Sequence, residues 1–261
     1  MTSPLLDVRR DGDLLRVQLN DPARANALSP ALVADLTALY GRDLRAEGVR
    51  AVILTGAGKH FSAGADLDHL RSLADADIER NREESEKLRA LFDAILRQEA
   101  LTLALVHGSC VAGGCGLATA CDFVVAASDA TFLYSEVRIG FVAALVATYL
   151  PLRVRGADLR ELLLFPQPLA AARALEIGIA NRVVPAADLC STGDELAAAI
   201  LQNASSESIA RTKRLLLDAL GRPLAEALSR AAEANAQARG TDDCRHGVRT
   251  FLETKKSPRW R

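Results

Sequence analysis

Two short stretches hold the residues whose types and spacing suit chemistry. One is VHGSCVAGGCGLATACDF, residues 106–123, with four glycines and no fixed charge before Asp122. The other is GKHFSAGADL, residues 58–67. Each follows an apolar run of strand character, LTLALV at 101–106 and AVILT at 51–55, and each leads into a helical pattern. Glycine weakens strand and helix by about 0.5–1 kcal/mol relative to alanine, so the glycines point to a need for bare backbone. The first turn of a helix leaves N–H groups unpaired, with positive partial charge. Such a turn suits an anion. If both turns face one point, two N–H groups meet at one oxygen, which is the arrangement of an oxyanion hole.

Other motifs near these turns carry less. VAGGCG is not G-x-G-x-x-G, and no G-K-[ST] follows it. HFSAG, residues 60–64, misses the G-x-S-x-G nucleophile turn, because His60 stands where the first glycine belongs. His69, His107 and His246 form no set with Ser62, so Ser62 reads as structural. Asp66 reads as the N-cap of a helix opening at Leu67, and Asp122 as a paired structural carboxylate. Cys110, Cys115, Cys121, Cys190 and Cys244 are odd in number, and the C-x4-C and C-x5-C spacings of the first three fit no usual zinc site. They read as reduced thiols of a cytoplasmic protein, and no metal is expected.

The elements that must position these turns alternate. LLRVQL (14–19), AVILT, LTLALV, FVVA (123–126) and ATFLY (130–134) read as strands. SPALVADLTALYGRDLRAEG opens with Ser29 as N-cap and Pro30 at the first helical position. Its Leu32, Val33, Leu36, Leu39 and Tyr40 recur at helical spacing. A long polar helical stretch begins at Leu67 and buries Leu88, Leu91, Phe92, Ile95 and Leu96 near its end. FVAALVATYL, GADLRELLL and PLAAARALEIG continue as helices, RVVP as a short strand, and only helices follow Asp194. Strands separated by helices imply an α/β core. The division falls at 1–190 for that core and 191–261 for a helical region.

Composition removes several classes. A chain of 261 residues can bury a full core without disulfide or metal. The net charge of −1, without any Lys/Arg block, argues against nucleic acid. The apolar runs are too short to span a bilayer, and the first residues show no signal-peptide core.

Five stretches together carry a resemblance: DPARANALSPALVADL, VRAVILTGAGKHFSAGADL, the glycine-rich stretch continued through VVAASDATF, SEVRIGF, and ALEIGIANRVVP. Their order and spacing, over roughly residues 5 to 255, resemble the crotonase superfamily of enoyl-CoA hydratases and isomerases. The resemblance implies a spiral of ββα units with a C-terminal helical oligomerisation region that makes trimers, often paired into hexamers. It also implies an acyl-CoA substrate, with coenzyme A as part of that substrate and no separate cofactor.

The resemblance assigns roles. The thioester oxygen would accept from the N–H groups of Ala65 and Gly113. Coenzyme A would lie near Arg24, Ala25, Ala63, Asp66 and Leu67, with Arg24 and Lys59 available to its phosphates. Typical hydratases of the family use two glutamates. The position of the first is Gly116 here; the second matches Glu136 in YSEVRIG. One carboxylate suits a shuttle of a proton between α and γ carbons, or a slow hydration. On this reading, restoring a glutamate at 116 should raise hydratase activity. Where many relatives carry a glycine-rich segment, this chain has Val142, Leu145 and Val146, expected to reshape the acyl pocket. An acyl-CoA binding protein with weak catalysis and a thioester hydrolase remain as alternatives.

Overall fold

The computed structural model describes residues 3–256 and 258–260. β1 (Leu6–Asp11) and β2 (Leu14–Leu19) form an antiparallel hairpin around Gly12. β1 escapes the sequence reading because only Leu6 of its LDVRRD is buried. α1 (Pro30–Tyr40) starts as expected, with the Ser29 hydroxyl accepting from the Leu32 N–H at 3.3 Å. β3 (Ala51–Gly56) then pairs parallel to β2. The polar stretch after Leu67 is two helices, α2 (Leu67–Ser72) and α3 (Ile78–Arg97). Asp77 breaks it by capping α3, its carboxylate accepting from the Arg80 N–H at 2.8 Å. Leu91, Phe92 and Ile95 are buried as expected, with Leu88 and Leu96 half-buried against the core.

β4 (Leu101–Val106) is buried along its whole length, as a central parallel strand must be. β5 (Ser109–Val111), α4 (Gly113–Ala120), β6 (Phe123–Ala127) and β7 (Thr131–Leu133) follow. After a 3-10 turn at Glu136–Ile139 come α5 (Ala144–Tyr149) and α6 (Gly156–Leu164). β8 (Leu169–Ala170), α7 (Ala171–Glu176) and β9 (Arg182–Val184) complete the sheets. The large sheet has the order β1-β2-β3-β4-β6-β9, and a smaller one the order β5-β7-β8.

Parallel bridges link Ser62 to Cys110 and Leu28 to Ala65, extending the small sheet through two loops. Each winding of the chain therefore supplies a long strand, a short partner in the small sheet, and a helix. That is the ββα spiral expected.

α8 (Leu189–Asn203) buries Leu196, Ala197 and Leu201 and packs on β3, β4 and β6. The expected division at 190/191 falls just inside this helix. α9 (Ser206–Asp218) is tied to the core by Lys213, which pairs with Asp122 at 2.6 Å and donates to Ala100 O at 2.8 Å. Asp122 also accepts from the Thr102 N–H and hydroxyl, the structural role expected. α10 (Leu224–Arg239) and α11 (Asp242–Thr254) end the chain and bury no residue fully. Among the described residues no helix is long and apolar enough to cross a membrane.

Candidate active site

The two glycine-bearing turns meet. A Cβ placed on Gly64 would lie 2.5 Å from Val111 O and 3.2 Å from Gly113 N. Gly64 also has φ +82, so both its conformation and its contacts demand glycine. A Cβ on Gly114 would lie 2.7 Å from Ser62 O, which packs the start of α4 on the other loop. The bridges fix the register: Leu28 N–H donates to Gly64 O at 2.7 Å, and Val111 N–H to Ser62 O at 3.0 Å. Neither the Ala65 nor the Gly113 N–H finds a protein acceptor among the described residues. Ala65 is exposed and Gly113 half-buried, so a ligand can approach both.

Ala112 holds the turn in an unusual shape. Its φ of 45° and ψ of −116° lie outside the regions open to an L-residue. Strain of this kind costs about 1–3 kcal/mol and persists only where the surroundings enforce it. Here they do: Ala112 N–H donates to Leu133 O at 2.7 Å, and Ala112 O accepts from Gly116 N–H at 3.1 Å. The ψ at 112 sets the direction of the Gly113 N–H. Nothing in an alanine announces this in the sequence.

Leu133 leads to Glu136. Three residues reach at most about 11 Å, so the Glu136 backbone stays near the turn that Leu133 pins. Glu136 is 9% exposed, and its Oε2 is buried without a hydrogen-bond partner. Burial pushes its carboxyl above the ordinary glutamate range, partly opposed by a hydrogen bond from its own backbone.

The position of the missing carboxylate is closed. A Cβ on Gly116 would lie 2.7 Å from Phe92 Cζ and 3.0 Å from Val146 Cγ2. The Tyr149 hydroxyl donates to Gly116 O at 2.9 Å. A glutamate at 116 would have to shift these apolar side chains, a cost that the expectation of restored hydration did not include. Of the residues expected to reshape the pocket, Val146 forms the wall, Leu145 is half-buried and Val142 is exposed.

The remaining candidates surround the first turn. Ala25 adopts a left-handed conformation, and its carbonyl accepts from the Ala63 N–H at 2.9 Å. Asp66 caps α2, accepting from the Asp68 and His69 N–H groups at 2.9 and 3.0 Å. The His69 N–H foremost, then the Asp68 N–H and Arg24, hold its carboxyl below the ordinary range although burial works the other way. Arg24 reaches Asp66 at 3.3 Å, with its side chain 63% exposed. Leu67, Ala63 and Lys59 are exposed. Ser62 is structural, as expected: its hydroxyl donates to Asn26 O at 2.8 Å and accepts from the Gly64 N–H.

Asn26 was not visible as a key residue. Its side chain is fully buried, donates to Ala57 O, His60 O and Phe61 O, and accepts from the Asp21 N–H. It thereby staples the 21–26 loop to the 57–61 loop. The histidines stay apart: His69 pairs with Glu84 at 3.0 Å, and His246 stacks edge-on with Trp260. No group of three or more metal-ligating side chains occurs among the described residues.

Comparison with known proteins fits this geometry. The sequence profile of the enoyl-CoA hydratase/isomerase family matches residues 9–261. A Thermus thermophilus protein named "Putative enoyl-CoA hydratase" is 42% identical, over 95% of this chain and 98% of its own length. Human mitochondrial Delta(3,5)-Delta(2,4)-dienoyl-CoA isomerase is 32% identical, over 93% of this chain and 77% of its own. The crystal structure of an enoyl-CoA hydratase from Mycobacterium smegmatis superposes with a TM-score of 0.90 at 31% identity, over 99% of both chains.

Proposed function

Because the chain belongs to the enoyl-CoA hydratase/isomerase family, we propose that it moves the double bond of an unsaturated acyl-CoA, with Glu136 as the sole acid/base. The thioester oxygen accepts from the Ala65 and Gly113 N–H groups. Glu136, as carboxylate, takes the proton from the α carbon of a 3-enoyl chain. The electron pair spreads onto the oxygen held by the two amides. Glu136 then returns the proton to the γ carbon, leaving the double bond between α and β. Oxyanion donors of this kind act on charge that appears only in the transition state, and each is worth about 10²–10³ in rate.

The observation that carries the reading is the buried, unpartnered Glu136 Oε2. Burial that raises a carboxyl's pKa suits a base working near neutral pH. The Phe92–Val146 wall at Gly116 supports transfer of a proton over addition of water, because it offers no second group to bind or activate water. Hydration of 2-enoyl-CoA to 3-hydroxyacyl-CoA is the second reading. The 42% identity to a relative named for that activity favours it, with Glu136 then acting on water and on the α carbon in turn.

Coenzyme A lies along Arg24, Ala25, Ala63, Asp66 and Leu67 on this proposal. Asp66 shapes the surface as a cap there, and Lys59, exposed and close by in sequence, meets phosphate. The protein works in the cytoplasm as a homo-oligomer, a trimer or hexamer. Exposed Leu216, Leu224, Leu228, Phe251 and Leu252 on α9–α11 support the assembly.

The deciding experiment incubates the protein with 2-enoyl, 3-enoyl and saturated CoA esters of several lengths. Products are resolved by mass and double-bond position. Interconversion of 3-enoyl and 2-enoyl esters without mass change is expected. A gain of one water without migration would replace isomerisation by hydration, and free CoA from the saturated ester would replace both by hydrolysis.

A further inference from the structure

Arg153 is a half-buried cation with no direct ion pair to an anion among the described residues. Its Nε donates to Thr119 O in the last turn of α4 at 3.0 Å, and its Nη2 donates to the carbonyl of Cys121, the residue that caps the helix. The nearby carboxylate, Asp122, is taken by Lys213 and Thr102. Other titratable groups near it are Cys121, Tyr134 and Tyr149. An arginine keeps its proton under all such conditions, and a charge drawn partly out of water is costly unless something compensates it. The compensation here is the negative pole of a helix. The turn that carries Arg153 is held tightly, since a Cβ on Gly178, at φ +92, would lie 2.4 Å from Arg153 O.

The other pole of the same helix is Gly113. α4 has eight residues, so its two ends lie about 12 Å apart. Left alone, the negative pole would oppose the positive potential at Gly113 N–H. Arg153 cancels it. The Tyr149 hydroxyl on Gly116 O, from the same segment, holds the middle of the helix. The segment that begins at Glu136 thus returns to α4 twice, through Tyr149 and Arg153.

We propose that Arg153 is a positioning residue that neutralises the C-terminal pole of α4 and so strengthens the hold of Gly113 N–H on the thioester oxygen. The proposal rests on the reading of Gly113 as an oxyanion donor. Arg153 touches no substrate on this account and acts at a distance, through its charge at the far end of the helix. A unit charge about 13 Å away, at an effective dielectric near 20, changes a rate by about 3–10-fold.

The test compares Arg153→Lys and Arg153→Met in the full-length protein. Turnover is followed with a 3-enoyl-CoA. The carbonyl band of a bound, 13C-labelled saturated acyl-CoA is followed by difference infrared spectroscopy. Arg153→Met is expected to lower kcat about 3–10-fold at unchanged KM and to move the band toward that of the free ester. Arg153→Lys, which keeps the charge, is expected to retain the wild-type band and kcat within about twofold. A wild-type band and kcat in Arg153→Met overturn the proposal, whatever the melting temperature. Equal losses in the Lys and Met variants overturn it too, because charge would then not matter. Should Arg153→Met fail to fold, Arg153→Gln, which keeps one donor for the carbonyls, is read by the same criteria. A wild-type band that does not shift on binding refutes the oxyanion reading of Gly113 itself, and this proposal with it. A wild-type shift that survives in the Met variant refutes only the role of Arg153.

Discussion

Replacing Glu136 by glutamine should damage catalysis and help the fold at the same time. The two side chains match in shape, so Phe141 N–H keeps its bond to the residue 136 carbonyl. What changes is the charge in a buried place where Oε2 has no partner. Loss of an acid/base of this kind lowers turnover about 10²–10⁴-fold, with little change in affinity for a CoA thioester.

The stability effect has a definite sign. Burial raises the Glu136 carboxyl from its ordinary value of 4.5. Between that value and the raised one, the native state holds a proton that the unfolded chain has lost. Stability therefore falls as pH rises through this window. Below the window both forms of the protein are neutral at 136, and the variant gains nothing from removing charge. Above it the wild type carries a buried, unpartnered carboxylate, and the variant does not. An unsatisfied buried group costs about 1–3 kcal/mol, of which the neutral amide recovers a part. In a chain of this length that corresponds to a rise of a few degrees in melting temperature, about 2–4 °C per kcal/mol.

The assay is thermal melting of both proteins from pH 4 to pH 9, beside turnover of a 3-enoyl-CoA at neutral pH. A stability difference that stays constant across pH, or a less stable variant at neutral pH, would show a paired or hydrated carboxylate and refute the desolvation argument. Turnover near that of the wild type would remove Glu136 from the chemistry.

Two further substitutions probe α4. Gly116→Glu should lower the melting temperature without any gain in hydration, because its Cβ would meet Phe92 Cζ at 2.7 Å and overpacking costs about 1–3 kcal/mol; a gain in hydration at an unchanged melting temperature would mean that the wall yields. Gly113→Pro removes the N–H proposed as an oxyanion donor, at the first position of a helix, where proline's fixed φ is tolerated, so circular dichroism should persist while the carbonyl shift of a bound saturated acyl-CoA shrinks. An unchanged shift in a folded protein would exclude Gly113.

The sequence displayed the long buried strands and the two turns, missed the exposed β1 and the short β5 and β8, and hid what lies between side chains distant in the chain. LTLALV could be read as buried because both faces of a central parallel strand are apolar, and it is buried throughout. Ser29 and Asp66 could be read as caps because capping is local, settled within three residues. The break between α2 and α3 was missed although Asp77 is an equally local cap; the helical period continues across it and conceals the gap. Gly116 could be recognised as a departure, yet not as a packing site, because Phe92 and Val146 are 24 and 30 residues away on either side. Asn26 and Arg153 were invisible for the same reason. Their partners are backbone carbonyls, which leave no residue-type signal.

Around α4 several local rules are broken together. Ala112 sits in a backbone region that alanine avoids, Glu136 keeps an unpaired oxygen, and Arg153 is half-buried with no direct ion pair among the described residues. Other comparable groups, near α4 and away from it, are satisfied: Ser62, Asn26, Gln98 and the Lys213–Asp122 pair all have partners. Two other buried orphans, the hydroxyls of Tyr40 and Tyr134, are neutral, so their cost is smaller. Sequences that fold well tend to agree with themselves at every level, and conflicts gather where function requires them. A strained turn that aims an amide, a carboxylate kept dry and a cation at the far pole are each unfavourable taken singly. On the proposed reading the first and the last prepare a helix end to meet negative charge before any substrate arrives, and the second keeps a base poorly solvated. On that reading, preparation of this kind lets an amide act on an enolate without reorganising during the reaction.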